Sequence, residues 1–270
     1  MRLSEISKIL GSSLDARIII KHYTRLSDAD LIGMDEIPIN SAQKQHIDNA
    51  IEQRLNGRPV SKIIGYKEFF GRNFNVTNDV LDPRPDSEIL IETVLKYAKG
   101  KSNLSILDLG TGSGCLILTL LSELNDAIGT ATDISPKSLD VAKQNALLLN
   151  LTDRISFLES NWLDSVTGQF DIIVSNPPYI ETRTVKTLSD DVKKYDPIMA
   201  LDGGTDGLVP YKILFPQIRH NLKKGGFIAM EHGAGQSRDI IRLIDNAQFQ
   251  EIRSTLDLSG HDRVVSAVAQ

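Results

Sequence analysis

The chain has 270 residues, 41% of them hydrophobic and 24% charged, an ordinary globular composition with room for one large domain or two unequal ones. No run of about 18 apolar residues occurs and Met1–Leu10 carries Glu5 and Lys8, so neither a membrane span nor a signal peptide is expected. The single Cys115 excludes an internal disulfide and a cysteine zinc cluster and fits a reducing cytoplasm, while a net charge of −5 lacks the basic footprint of a stable nucleic-acid binder.

The first part of the chain reads helical. Leu14–Leu26 places Ile18, Ile19, Ile20 and Tyr23 on helical spacing, Ser27 starts a second short helix, and Asn40 or Ser41 caps a third that runs through Leu55 and is stopped by Gly57 and Pro59. Ile47, Ile51 and Leu55 form an apolar stripe. Glu68–Val76 then reads as a hairpin with a Gly-containing turn, a linker between two parts of the chain. Asp82-Pro83-Arg84-Pro85 opens a helix whose Ile89, Ile91, Val94 and Leu95 are expected to face inward.

From Asn103 strands and helices alternate: strand 104–109, helix 113–124, strand 128–132, helix 136–149 with Ser135 as N-cap and Pro136 in its first turn, strand 155–158 and strand 170–174. A long connection leads to helix 210–222, strand 227–230, a helix after Gln236, and strands near 249–256 and 264–269. Repeated β-α units predict an α/β fold with a mainly parallel sheet covered on both faces, and the final two strands, joined without a helix, predict an antiparallel hairpin at its end.

Two stretches carry chemistry. The first is Asp108-Leu109-Gly110-Thr111-Gly112-Ser113-Gly114, between a strand and the next helix. Its G-x-G-x-G spacing, with Cys115 where a dinucleotide fingerprint wants Gly or Ala, departs from that fingerprint, and no Gly-Lys-Ser/Thr follows, so it is not a P-loop. The Asp108 carboxylate would repel a diphosphate and suits a cation such as an amino group or a sulfonium, while the helix start near Ser113 favours a carboxylate; a zwitterionic amino-acid tail satisfies both. Asp133 ends the next strand, where an acid holds ribose hydroxyls in doubly wound folds, with a cap for the following helix as its alternative role. Asn161 and Trp162 follow the third strand and are placed to flank an adenine, with simple packing as the alternative for Trp162. Together these describe S-adenosylmethionine better than NAD.

The second stretch is Asn176-Pro177-Pro178-Tyr179, which follows the apolar strand Phe170–Ser175. Two prolines fix φ and remove two backbone donors, which leaves nearby carbonyls as acceptors. The Asn176 side-chain carbonyl, the Pro177 main-chain carbonyl and the Tyr179 ring suit a planar NH₂ group, with two acceptors for its hydrogens and a ring to stack on; a plain Pro-rich turn with an Asn cap is the alternative. His22, His46, His220, His232 and His261 lack metal-ligand spacing, and no metal is expected. Glu231-His232-Gly233 ends a strand near the ligand edge and reads as structural, with pocket shaping as its alternative.

With these residues in view, the chain resembles the release factor glutamine methyltransferases, the PrmC/HemK family. Pro83-Arg84-Pro85-Asp86-Ser87-Glu88 matches the family's segment before the first strand, with Asp86 where Glu is usual. The glycine loop, Asn176–Tyr179, the segment from Asp196-Pro197 through Ala200–Leu208 with Asp196 for the usual Glu, and Asp257–Arg263 match further family motifs. The resemblance implies a class I Rossmann-like methyltransferase domain (81–270), a β-hairpin linker (66–80) and a helical substrate-recognition domain (1–65). It also implies S-adenosylmethionine as cofactor, S-adenosylhomocysteine as product, and the Gln of the Gly-Gly-Gln loop of peptide chain release factors as substrate. Asp108, Gly110, Thr111, Gly112, Ser113, Gly114, Asp133, Asn161, Trp162 and Asn176 are the expected cofactor residues. Asn176, Pro177 and Tyr179 are the expected catalytic residues; these with Pro178 and Arg84 would meet the substrate. A ribosomal-protein glutamine, an adenine exocyclic amine in DNA or RNA, and a non-catalytic cofactor-binding scaffold are the rival readings.

Overall fold

The computed structural model describes residues 1–34, 36–245 and 249–270, which divide into two units: Met1–Tyr66 with Ser189–Tyr195, and Lys67–Leu188 with Asp196–Gln270. The first unit holds α1 (Leu3–Leu10), α2 (Ser13–Thr24), α3 (Asp28–Leu31), α4 (Ser41–Leu55) and α5 (Val60–Ile64). Side chains satisfy the amide groups that a helix start leaves open. Ser12 accepts from the Asp15 amide, and Ser27 with Asp30 and Asn40 with Gln43 form reciprocal capping boxes. Ile6, Ile19, Ile20, Ile47 and Ala50 form its core. The stripe expected on α4 holds only at its start: Ile47 is buried, Ile51 half-buried and Leu55 60% exposed. Steps of four residues drift around a helix of 3.6 residues per turn, so the third member lies about 80° from the first. Neither α1 nor α5 is expected from the sequence, because each is too short for its periodicity to stand out.

β1 (Tyr66–Phe69), whose first residue belongs to the first unit and the rest to the second, and β2 (Arg72–Asn75) form the expected hairpin, turning through left-handed Phe70 and Gly71. A 3-10 turn at Pro85–Ser87 leads into α6 (Glu88–Ala98). The alternating elements follow: β3 (Ser105–Leu109), α7 (Cys115–Glu123), β4 (Ile128–Asp133), α8 (Pro136–Leu148), β5 (Ile155–Glu159) and β6 (Phe170–Ser175). The long connection contains the short helices α9 (Thr182–Val185) and α10 (Asp190–Tyr195), the latter within the first unit. It ends at α11 (Val209–Asn221), β7 (Leu222–Glu231), α12 (Ser237–Asp245), β8 (Phe249–Leu256) and β9 (Asp262–Ala269).

The seven strands lie in the order β5-β4-β3-β6-β7-β9-β8. β5 through β7 are parallel, and β9 runs antiparallel to both β7 and β8, as the alternation and the terminal hairpin predict. Successive residues of a strand face opposite sides, so Ile106 and Ile172 join Leu90, Ile91 and Val94 of α6 and Ile117 of α7 on one face. Leu107 and Ile173 join Tyr211, Leu214 and Phe215 of α11 and Ile240 of α12 on the other. Two expectations are corrected. On α6, Leu90 is fully buried, whereas Ile89 and Leu95 are only partly so; Leu90, Ile91, Val94 and Ala98 form the face turned to the sheet. β7 begins at Leu222 rather than Phe227, because Leu222 pairs with Phe170 before the register shifts at Ile172. Among the described residues no helix is long and apolar enough to cross a membrane.

Consecutive strands β3 and β4 lie side by side, whereas β6 joins β3 from the opposite edge. The chain order reverses at β3, which opens a crevice beyond the carboxyl ends of these strands.

Candidate active site

A cavity of about 830 Å³ occupies that crevice. Loops after four parallel strands line it: Gly110–Ser113 after β3, Asp133–Ser135 at the end of β4, Ser160–Trp162 after β5, and Asn176–Pro178 after β6. Gly110, Gly112 and Gly114 have φ of 71°, 55° and 80°, left-handed conformations that favour glycine and explain the spacing of the loop. Trp162 adopts φ 51° without being glycine, and its ring lies where a side chain at Gly110 would meet Cζ3 at 3.5 Å. Asp133 braces the loop: Oδ2 accepts from the Gly112 amide at 2.9 Å, and Oδ1 accepts from the Ser135 amide at 2.9 Å. Burial raises its pKa. Asp133 thus both lines the cavity and supports the start of α8.

Three residues expected in the site stand behind the cavity wall instead of lining it. Gly114 is a packing residue, since a Cβ there would lie 3.0 Å from Leu118 and 3.2 Å from Ala142. Asp108 is fully buried; it accepts from Thr111 Oγ1 at 2.7 Å, and its Oδ1 has no hydrogen-bond partner among the described residues. Burial pushes its pKa up to about 7, against 3.8 ordinarily. The folded state therefore holds a proton that the unfolded chain releases at neutral pH, so this group's contribution to stability is fully present below about pH 4 and lost as pH rises through about 7. The stability of the cofactor-free protein relative to Asp108→Asn is expected to fall across that window in thermal denaturation. A pH-independent difference would contradict it.

Tyr179 is the third. Its hydroxyl donates to Glu231 Oε1 at 3.4 Å, and burial chiefly raises its pKa to about 12. The preceding residues do reach the cavity. Asn176 Nδ2 donates to Ser87 Oγ at 3.3 Å, and Ser87 in turn donates to Glu231 Oε2. Among the described residues, nothing donates to Asn176 Oδ1 or to the Pro177 carbonyl, so both remain open acceptors. Arg84 lines the cavity and is held by Asp196 at 2.9 Å. Asn161 lines it too, its amide donating to Asp164 at 3.2 Å.

The turn is clamped by the segment after it. Ile180 donates to the Leu201 carbonyl at 3.0 Å and accepts from the Gly203 amide at 2.8 Å, while Gln236 Nε2 donates to the Tyr179 carbonyl at 3.0 Å. A Cβ at Gly203 would lie 2.8 Å from both the Pro178 oxygen and Tyr179 Cα, and 2.9 Å from Gly207 Cα. All three are backbone atoms that cannot rotate away. Gly203→Ala is therefore expected to cost about 1–3 kcal/mol by overpacking and to displace the turn, read as lower unfolding free energy and lower turnover. Neither change would occur if the contact were slack.

Sequence reasoning misses Ser87 and Asn145 and leaves Glu231 as structural. Asn145 is buried in α8; its Nδ2 donates to the Asn75 and Ser113 carbonyls at 3.1 and 2.8 Å, and its Oδ1 accepts from the Asn75 amide at 2.7 Å, tying the hairpin to the glycine loop. A polar residue among the buried positions of an apolar helix face is the signal that could have found it.

Comparisons with known proteins bear on this geometry. The "Methyltransferase small domain" family model matches residues 77–192, and the "PrmC N-terminal domain" model matches residues 2–65. The release factor glutamine methyltransferase of Agrobacterium fabrum is 38% identical over 257 residues, spanning 94% of this chain and 89% of its own length. That of Rhodospirillum rubrum is 40% identical over 253 residues, spanning 94% and 78%. Among solved structures, the hMettl16 catalytic domain in complex with a 3'UTR hairpin superposes with a TM-score of 0.60 at 16% identity, covering 94% of this chain and 90% of that one. A 16S rRNA methyltransferase from T. thermophilus, in complex with AdoMet and guanosine, gives 0.54 at 18% identity, covering 76% and 50%. At these identities the structural likeness shows the fold alone.

Proposed function

The chain belongs to the release factor glutamine methyltransferase family, and from that premise we propose that its crevice holds S-adenosylmethionine beside Asn176 and Pro177 and serves transfer of a methyl group to the side-chain amide nitrogen of the glutamine in a release factor's Gly-Gly-Gln loop. The observation that carries the reading is the pair of open acceptors, Asn176 Oδ1 and the Pro177 carbonyl, in a cavity also lined by the glycine loop and Asp133.

The residues fit that cofactor. Asp133 uses one lone pair of each oxygen on a backbone amide and keeps others for ribose hydroxyls. Trp162 and Ile134 offer apolar walls for an adenine, and Asn161 a polar edge. Asp108 stands beneath the loop with one oxygen unpartnered among the described residues, and a cation brought to this end of the crevice would favour its ionised form over the protonated one that burial favours. When bound, S-adenosylmethionine supplies a methyl group activated by its sulfonium; S-adenosylhomocysteine is the product and no metal is assigned.

The protein's part is orientation. An amide nitrogen is a poor nucleophile because its lone pair is delocalised into the carbonyl. Asn176 Oδ1 and the Pro177 carbonyl each accept one N–H, which fixes the direction of the lone pair and favours positive charge growing on nitrogen; one of these N–H protons leaves to solvent once the N–C bond has formed, with no general base assigned. Holding reacting groups in line contributes up to roughly 7–11 kcal/mol. Pro178 stiffens the turn, and Tyr179 anchors it from behind through Glu231. Residues 1–65 are assigned to recognition of the release factor, supported by the family-model match at 2–65, and a translation-factor substrate places the reaction in the cytoplasm.

The test is labelled methyl transfer from S-adenosylmethionine to a purified release factor. Label on the factor but not on its Gln→Ala loop variant is expected. Label on a ribosomal protein or on DNA instead, or salt-sensitive retention of DNA, would overturn the reading.

A further inference from the structure

Asn176 can present either its oxygen or its NH₂ group to the cavity, and a carboxamide has nearly the same shape both ways. Only one orientation leaves an acceptor for a substrate N–H. The structure shows what decides between them. Glu231, at the carboxyl end of β7, is 1% exposed, and Ser87, in the turn before α6, is 2% exposed. The Ser87 hydroxyl has a single hydrogen, and with Glu231 in its carboxylate form that hydrogen is donated to Oε2. The Ser87 oxygen is then left only with lone pairs. The group that faces it at 3.3 Å must be a donor, and it is Asn176 Nδ2. Reversing the carboxamide would set Oδ1 against a Ser87 oxygen whose hydrogen is already used, two acceptors in contact at a hydroxyl that is nearly fully buried.

We propose that Ser87 and Glu231 are positioning residues, a two-bond relay that fixes the Asn176 carboxamide with its oxygen toward the substrate and so makes the site an acceptor pair selective for an NH₂-bearing side chain. Neither residue touches the reacting atoms; both act through Asn176. Glu231 is itself held. Its main-chain oxygen accepts from Tyr211 Oη at 2.6 Å, and its Oε1 accepts from Tyr179 Oη at 3.4 Å. The same carboxylate therefore orients Asn176 through Oε2 and anchors Tyr179 through Oε1, and the two ends of the Asn176–Tyr179 turn share one buried support.

The proposal rests on the methyl-transfer reading, and its test separates the two. In single-turnover transfer to the release factor, Ser87→Ala is expected to lower kcat on the order of tenfold with cofactor Kd within about twofold, and to add less than about twofold to the loss caused by Asn176→Ala. Additive losses, or an unchanged kcat in Ser87→Ala, would overturn the relay. The second readout needs no activity and no variant. In the NMR spectrum of the wild-type protein one hydrogen of the Asn176 side-chain NH₂ is expected to be protected from solvent exchange and the other not; equal, rapid exchange of both overturns the relay. A wild-type protein that transfers no methyl group to the release factor sinks the functional reading, while the exchange measurement still decides the relay.

Discussion

Asn176→Ala is expected to lower kcat by about 10²–10³, the loss that follows removal of one preorganised hydrogen bond aimed at charge developing in a transition state. The variant keeps the Pro177 carbonyl, so residual turnover is expected, with the amide held on one side only. The Asn176 side chain is partly buried and its only hydrogen bond among the described residues is to Ser87 at 3.3 Å, so truncation leaves the strand and the prolines in place. Its chief effect belongs on the chemical step, with release-factor KM and cofactor Kd changing by no more than about threefold. Single-turnover transfer and calorimetry measure these separately. Near-wild-type turnover in a folded variant would remove the acceptor-pair mechanism.

Asp133→Ala is expected to weaken cofactor binding by on the order of 10²-fold. A hydrogen bond to a charged group contributes about 1.5–3 kcal/mol, and tenfold in affinity corresponds to about 1.4 kcal/mol. The carboxylate has two tasks in the cavity, to accept from ligand hydroxyls and to hold the Gly112 amide, so the variant loses direct contacts and loosens the glycine loop together. Asp133→Asn keeps one carbonyl oxygen for one of these bonds, and its affinity is expected to fall between wild type and Asp133→Ala. The chemical step at saturating cofactor is expected to stay within about fivefold, because Asp133 ends a strand two positions away from the one that delivers Asn176. Calorimetric affinity unchanged in Asp133→Ala would contradict its assignment.

Much of the fold is legible in the sequence because its signals are local. Ser27, Asn40 and Ser135 cap helices where expected, since a short polar side chain satisfies an amide only two or three residues away. The order of strands along the chain follows from short apolar runs between turn residues. What fails is what depends on a partner. Leu222 looks like the end of a helix until it pairs with Phe170. Leu55 continues a stripe in sequence but leaves the core in space.

The site divides in the same way. The glycine loop and the Asn-Pro-Pro turn are legible because left-handed glycines and fixed proline dihedrals are properties of the residues themselves. Where each side chain then stands is decided by packing. Asp108, predicted to face a ligand, is sealed beneath the loop, and Tyr179, predicted to stack on the substrate, turns to Glu231. Ser87 and Glu231 lie 144 positions apart and carry no recognisable spacing; they meet only because α6 packs on the sheet beside β7. Sequence by itself determined the main alternating strands and helices, their order and the chemical types gathered at the strand ends, since each is set by neighbours along the chain. The tertiary structure alone decided which oxygen of those groups is left open, because a hydrogen bond's direction depends on the partner already occupying its other end.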